Sequence, residues 1–143
     1  MFTPSQEQLR NFFFDIFEKH KLNQMLSSLE KQVLSIILQH PEYHEILNNR
    51  HKYLNYHWNN SSGEFNPFLH LSMHLTILEQ LSINQPDRIR EIFDKFVLKY
   101  KGEHNATHEL MDCIAEMLIK GNFNPENYDV NIFYNCVNNK LGI

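Results

Sequence analysis

The chain has 143 residues, 42% of them hydrophobic, and a net charge of −4 at neutral pH. A chain of this length buries a substantial core, and its acidic balance argues against a nucleic-acid binder, whose surface normally carries a basic stripe. No stretch approaches the roughly 18 consecutive apolar residues that a membrane span needs. These properties predict one soluble domain, residues 1–143, with neither a nucleic-acid nor a membrane partner.

The composition also indicates the fold class. Only 4 Gly and 5 Pro are present, against 11 Phe and 6 Tyr. Few positions are therefore free for tight turns, whereas large apolar side chains are plentiful. We expect an all-α, single-domain helical bundle of about six helices.

Two capping boxes mark the first helices. Ser5 followed by Gln8 predicts the start of one helix, and Ser27 followed by Glu30 predicts the start of a second. The second helix should stop at His40, because the residue before a proline is disfavoured in the helical region.

In the rest of the chain, prolines indicate where helices begin. Residues 41–47 are predicted to form a short helix, and Asn66-Pro67 predicts the start of a longer, central helix that ends near residue 81. Between them, residues 49–66 have no clear period and form an aromatic and basic loop. Three more helices are predicted, over residues 86–102, 104–120 and 124–140.

The two cysteines, Cys113 and Cys136, are 23 residues apart and fit neither a disulfide framework nor a CxxC redox pair. We expect them to be reduced core residues. The first residues also lack a basic segment followed by an apolar stretch, so we expect no secretory leader and a cytoplasmic location.

Histidine pairs are the main chemical signal in the sequence. Nine histidines are present, and three pairs are spaced i, i+4, which is more than random placement would give. Residues so spaced are neighbours on a helix surface. The pairs are His40/His44, His70/His74 and His104/His108. Pro41 breaks the helix within the first pair, so its two rings should not share a face.

Helical bundles build metal sites from side chains on facing helices. We therefore expect the pairs on the central helix and on the helix over residues 104–120 to face each other and to bind a divalent ion such as zinc, iron, manganese or nickel. The predicted ligands are His70, His74, His104 and His108, with His44, Asp112 or Glu116 as possible completions. The alternative is that these histidines bind no metal and are hydrogen-bonded to backbone carbonyls and carboxylates.

No catalytic motif is recognisable: the sequence lacks a G-x-S-x-G elbow, a phosphate-binding glycine loop and an HExxH motif. Catalytic residues stay unknown, and whether the protein is an enzyme is open. A second function class is a metal-free interaction or homodimerisation module that uses the aromatic loop 49–66.

Several segments together carry a resemblance to a known family. They are TPSQEQLRNFFFD, HPEYH, NPFLHLSMHLTILEQLSINQP and HELMDCIAEM. The chain resembles a small bacterial family catalogued only as a domain of unknown function. The resemblance implies a bacterial, soluble, helical protein, and it supplies no catalytic residue. The family tends to carry Glu where this chain has Asp112, whose shorter side chain is a weaker candidate ligand.

Overall fold

The computed structural model describes residues 5–59, 66–122 and 124–143. Within these ranges the regular secondary structure is helical, which confirms the all-α prediction. The α-helices are α1 (Gln6–Lys21), α2 (Ser28–Leu38), α3 (His44–Leu47), α4 (Arg50–Tyr53), α5 (Pro67–Ile83), α6 (Ile89–Tyr100), α7 (Glu103–Lys120) and α8 (Val130–Leu141). The expected count of about six is wrong, because the single-turn helices α3 and α4 bring the number in the described ranges to eight.

The helix starts follow the predicted caps. The Ser5 hydroxyl accepts from the Gln8 backbone N–H at 3.1 Å, and the Gln8 side chain accepts from the Ser5 N–H at 2.9 Å. Ser27 and Glu30 repeat this exchange at the start of α2. At α5 the Asn66 side-chain oxygen accepts from two backbone N–H groups of the first turn. These side chains satisfy N–H groups that have no partner within the helix.

Two helices begin later than the sequence predicted. The start of α6 lies at Ile89 rather than Pro86, because Arg88 has a positive φ of 71° that a helix cannot continue through. The last helix begins at Val130, after a 3-10 turn over Pro125–Asn127. Its N-cap is Asp129, whose carboxylate accepts from a first-turn N–H at 3.0 Å.

The chain divides into two compact units, Met1–Ser72 and Met73–Ile143. The boundary falls inside α5, so this helix contributes His70 to the first unit and His74 to the second. The expectation of one domain over residues 1–143 stays a prediction.

The first unit is built on an aromatic and aliphatic core. Its fully buried side chains come from α1, α2 and the start of α5; the largest are Phe13, Phe14, Ile16, Ile37, Phe68 and Leu71. The ring of Phe68 packs edge-on against Phe14, with centroids 5.3 Å apart. Leu71 lies next to His70 in the sequence and is completely buried, so packing at this position fixes the rotation of α5 beside the histidine.

A buried arginine holds the segment after α4 in the first unit. The Nη1 group of Arg10 donates to the backbone carbonyls of residues 53, 54 and 56 at 3.1, 3.0 and 2.8 Å. Its guanidinium carbon lies 4.9 Å from the ring centroid of Trp58 and 5.3 Å from that of Phe68. Arg10 is only 1% exposed, so these carbonyls have little access to water as an alternative donor.

In the second unit, α7 packs against both α6 and α8. Its completely buried side chains include Ile89 and Phe96 of α6, Leu110 of α7 and Phe133 of α8. One side of α6 faces this core, since Ile89, Ile92 and Phe96 are all buried.

The prediction of two reduced cysteines is wrong. Cys113 of α7 and Cys136 of α8 form a disulfide, with their Cα atoms 5.4 Å apart. Their separation of 23 residues carries the chain along the rest of α7 and back along α8, which brings the two positions side by side. Because the two cysteines are paired, they do not support a reducing compartment. The cytoplasmic location stays a prediction.

Leu71→Ala should lower the free energy of unfolding by about 2–5 kcal/mol, because it opens a cavity in a well-packed core. Leu98→Ala is the control, since Leu98 is also a helical leucine but is 83% exposed; it should cost less than about 0.5 kcal/mol. Leu75 of the same helix is only partly buried, so its truncation should cost less than that of Leu71. Chemical denaturation measures all three; equal losses at positions 71 and 98 would contradict the packing.

Arg10→Met should lower the free energy of unfolding by about 2–4 kcal/mol, because an apolar side chain removes the buried donor that the carbonyls of residues 53, 54 and 56 share. Arg90→Met is a matched control: Arg90 also donates to two backbone carbonyls, at 2.7 and 2.6 Å, but it is exposed. Water can replace its guanidinium, so the control should lose less than about 1 kcal/mol. A control loss as large as that of Arg10→Met would show that burial is not what makes Arg10 important.

Candidate metal centre

The first unit contains a histidine pair formed by His40 and His70. Their Nε2 atoms are 3.1 Å apart, and the two rings meet edge to face with centroids 4.9 Å apart. His40 is only 2% exposed. Its other ring nitrogen, Nδ1, lies 2.8 Å from the backbone carbonyl of Ile36. Because a carbonyl only accepts, Nδ1 carries the proton in neutral His40, and the Nε2 lone pair is directed toward His70.

Tyr43 fixes the orientation of this pair. Its ring stacks almost parallel to that of His40, with centroids 5.5 Å apart, and contacts the His70 ring edge-on at 5.9 Å. Burial raises the pKa of the Tyr43 hydroxyl, and the nearby Glu42 charge raises it further. The phenol beside the pair is therefore uncharged at neutral pH.

The second unit contains a group of three histidines. The Nε2 atoms of His74 and His108 are 2.9 Å apart, and His74 is 3% exposed. His104 lies one turn before His108 on α7. The centroid of its ring is 4.2 Å from that of His108 and 5.7 Å from that of His74, on which it stacks at an interplanar angle of 19°. The predicted approach of His74 to the histidines of α7 is therefore present within this unit.

Helix α5 carries one member of each group. His70 and His74 are four residues apart on a continuous helix, so they occupy the same face on successive turns. This spacing is the pattern that predicted a metal site from the sequence. Within the first unit, however, the histidine in contact with His70 is His40, which was not among the predicted ligands.

His44, predicted as a possible completion of the metal site, contacts the end of α2. Its Nε2 lies 2.9 Å from the backbone carbonyl of Ile37, so this nitrogen donates to the last turn of α2. The ring packs against Phe17 with centroids 4.9 Å apart. These contacts assign His44 to the end of a helix rather than to the His40–His70 pair.

The two predicted carboxylate ligands pair with lysines. Asp112 lies 3.2 Å from the ammonium group of Lys140, and Glu116 lies 2.9 Å from that of Lys120. Both carboxylates are exposed to solvent for a large part of their surface, 69% and 41% respectively. Because both carboxylates pair with lysines, we assign only imidazole nitrogens as candidate ligands in each unit.

The aromatic segment after α4 packs within its own unit. Tyr53, Tyr56 and Trp58 contact one another, with ring centroids 4.7–6.0 Å apart, and Trp58 also covers the guanidinium of Arg10. Residues 60–65 of the predicted interaction loop 49–66 lie outside the described residues. A protein partner or homodimer formed through this segment stays a prediction.

Among the described residues, no helix combines the length and the apolar character that crossing a bilayer requires.

Residues 5–139 match the model of a family described as a domain of unknown function, DUF1841, and the chain therefore belongs to that family. The match confirms the resemblance carried by the histidine-containing segments. No curated protein and no solved structure matches the chain.

Proposed function

We propose that the protein binds a divalent transition-metal ion through imidazoles drawn from His40, His70, His74 and His108. Each of these side chains offers one ring nitrogen as a possible metal ligand. The observation that carries the proposal is the pairing of nitrogens: in each unit two histidines direct Nε2 atoms at each other, and both pairs include a histidine of α5.

The separations within the pairs suit two ligands of one ion. Zinc–nitrogen bonds measure about 2.0–2.1 Å, so two imidazole nitrogens on a tetrahedral zinc lie roughly 3.3 Å apart. The Nε2 atoms of His40 and His70 are 3.1 Å apart, and those of His74 and His108 are 2.9 Å apart. Small movements of the rings would widen the Nε2–Nε2 distance in each pair to the roughly 3.3 Å expected for two ligands of one zinc ion.

The hydrogen bond of His40 to Ile36 also supports the proposal. Histidines that bind metals usually donate their second ring N–H to a carbonyl or carboxylate, which fixes the tautomer and the ring orientation. The Nδ1 of His40 has such a partner in the Ile36 carbonyl, at 2.8 Å. With the proton on Nδ1, the Nε2 of neutral His40 carries the lone pair that a metal ligand needs.

The donor set limits the kind of ion. Neutral imidazoles suit borderline ions such as zinc and nickel, and iron less strongly; they suit poorly the hard ions magnesium and calcium, which prefer oxygen ligands. Manganese, which the sequence also allowed, is disfavoured here because Asp112 and Glu116 are paired with lysines. Zinc is accordingly the first ion to test.

The competing explanation is a hydrogen bond within each histidine pair. One Nε2 would donate its proton and the other would accept, which satisfies both rings without a metal. Such pairs would stabilise the fold equally in the presence and absence of a chelator. Metal content and chelator dependence therefore separate the two explanations.

Protein purified without a histidine tag should contain about one equivalent of a divalent metal, and His74→Ala should lose most of it, because removing a ligand leaves an incomplete coordination shell. Elemental analysis measures the content. Asp112→Asn and His44→Gln are the controls and should retain the metal, since neither side chain is in the proposed ligand set. Metal-free wild-type protein that also fails to take up added zinc would overturn the proposal.

Zinc at about 100 times its Kd should stabilise the wild-type protein by roughly 2.7 kcal/mol, because it binds the folded state preferentially. Thermal unfolding should show a higher Tm with zinc and a return to the metal-free value with excess chelator. His74→Ala should show no such difference. If zinc and chelator leave the wild-type Tm unchanged, the hydrogen-bonded explanation is favoured.

A further inference from the structure

We propose that His104 and His108 form an outer capture site, from which the ion passes inward by exchanging His104 for His74, an inference that rests on the proposed function. All three histidines belong to the second unit. His108 would bind the ion both before and after the exchange. Its ring centroid lies 4.2 Å from that of His104 and 4.8 Å from that of His74.

The exposure of the three rings gives the transfer a direction. His104 is exposed, His108 is partly buried, and His74 is only 3% exposed. A hydrated ion can reach His104 from solvent but cannot reach His74 without first losing water. An exposed imidazole one turn from His108 would replace one water molecule and hold the ion beside the next ligand.

The geometry favours stepwise ligand exchange. An ion held by His104 and His108 lies beside the His74 ring, because His104 stacks on it with centroids 5.7 Å apart. As the Nε2 of His74 binds, the bond to His104 breaks, so one imidazole replaces the other on the ion; the bond to His108 is kept throughout. Each ligand acts through an unprotonated nitrogen, so any proton on that nitrogen leaves to solvent.

The outer site is also suited to releasing the ion. His104 lies in the first turn of α7, which begins at Glu103. The helix dipole is positive at this end and weakens cation binding there. The outer pair should therefore bind quickly and weakly, and the inner site slowly and tightly.

The test is zinc exchange measured in two ways on the full chain, with zinc alone as the probe. Competition with a chromogenic chelator gives Kd, and stopped-flow mixing gives the rates of uptake and of removal. In His104→Ala both rates should fall about tenfold while Kd changes less than about threefold, because a capture site lowers the barrier in both directions. His104→Asp should restore the rates, since a carboxylate can also hold the incoming ion.

Two further variants separate this proposal from the binding site itself. His108→Ala should weaken binding by at least about 100-fold, because it removes a ligand of both sites. His51→Ala removes another exposed histidine on a helix, in the first unit, and should change neither rates nor Kd. It therefore controls for nonspecific attraction of zinc to surface imidazoles.

The possible outcomes are distinct. Unchanged rates in His104→Ala would overturn the capture site and leave the metal site intact. A Kd more than about tenfold weaker would instead make His104 a permanent ligand, against the exchange proposed here. Wild-type protein that binds no zinc would overturn both the capture site and the proposed function.

Discussion

The buried imidazole is the constraint on which the rest of the histidine chemistry depends. A buried ring nitrogen without a partner costs several kcal/mol in an apolar interior, so each nitrogen must find a donor, an acceptor or an ion. His40 is 2% exposed and His74 3% exposed, and each directs its Nε2 at another histidine. Two facing nitrogens can share a proton, or both can turn lone pairs to one ion. The bond from His40 Nδ1 to the Ile36 carbonyl already fixes one of these lone pairs.

Local signals predicted most of the fold. Ser5, Ser27 and Asn66 accept from first-turn N–H groups as their side-chain chemistry requires, and this chemistry needs no tertiary information. Tertiary features were not predictable in this way. The pairing of Cys113 with Cys136 depends on how α7 and α8 pack, and a sequence separation of 23 does not report a Cα distance of 5.4 Å.

The same distinction between local and tertiary features explains which residues of the candidate site could be predicted. The spacing of His70 and His74, and of His104 and His108, follows from helix geometry and was visible in the sequence. The sequence pattern left His40 out of the predicted ligands, because Pro41 ends the helical register there. In the structure its backbone leaves the helical region, with φ −125° and ψ 65°, and a contact with residue 70 is not a matter of local spacing. The lysine partner of Asp112 was equally invisible in the sequence, since Lys140 lies 28 residues beyond it.

Helix α7 does not need the ion in order to form. Its inward side chains, including Leu110 and Ile114, are buried against neighbouring helices, and the disulfide at Cys113 adds a covalent link to α8. Closing a loop of this size stabilises a fold by about 3 kcal/mol in the chain-entropy description. Small domains that lack such a core unfold when their metal is removed. Here the packing and the disulfide would hold His104 and His108 in place before an ion arrives, so binding would not have to supply the free energy of folding. Such a preorganised site can lose and regain its ion while the helix persists, which is the property that transfer from an exposed pair of imidazoles requires.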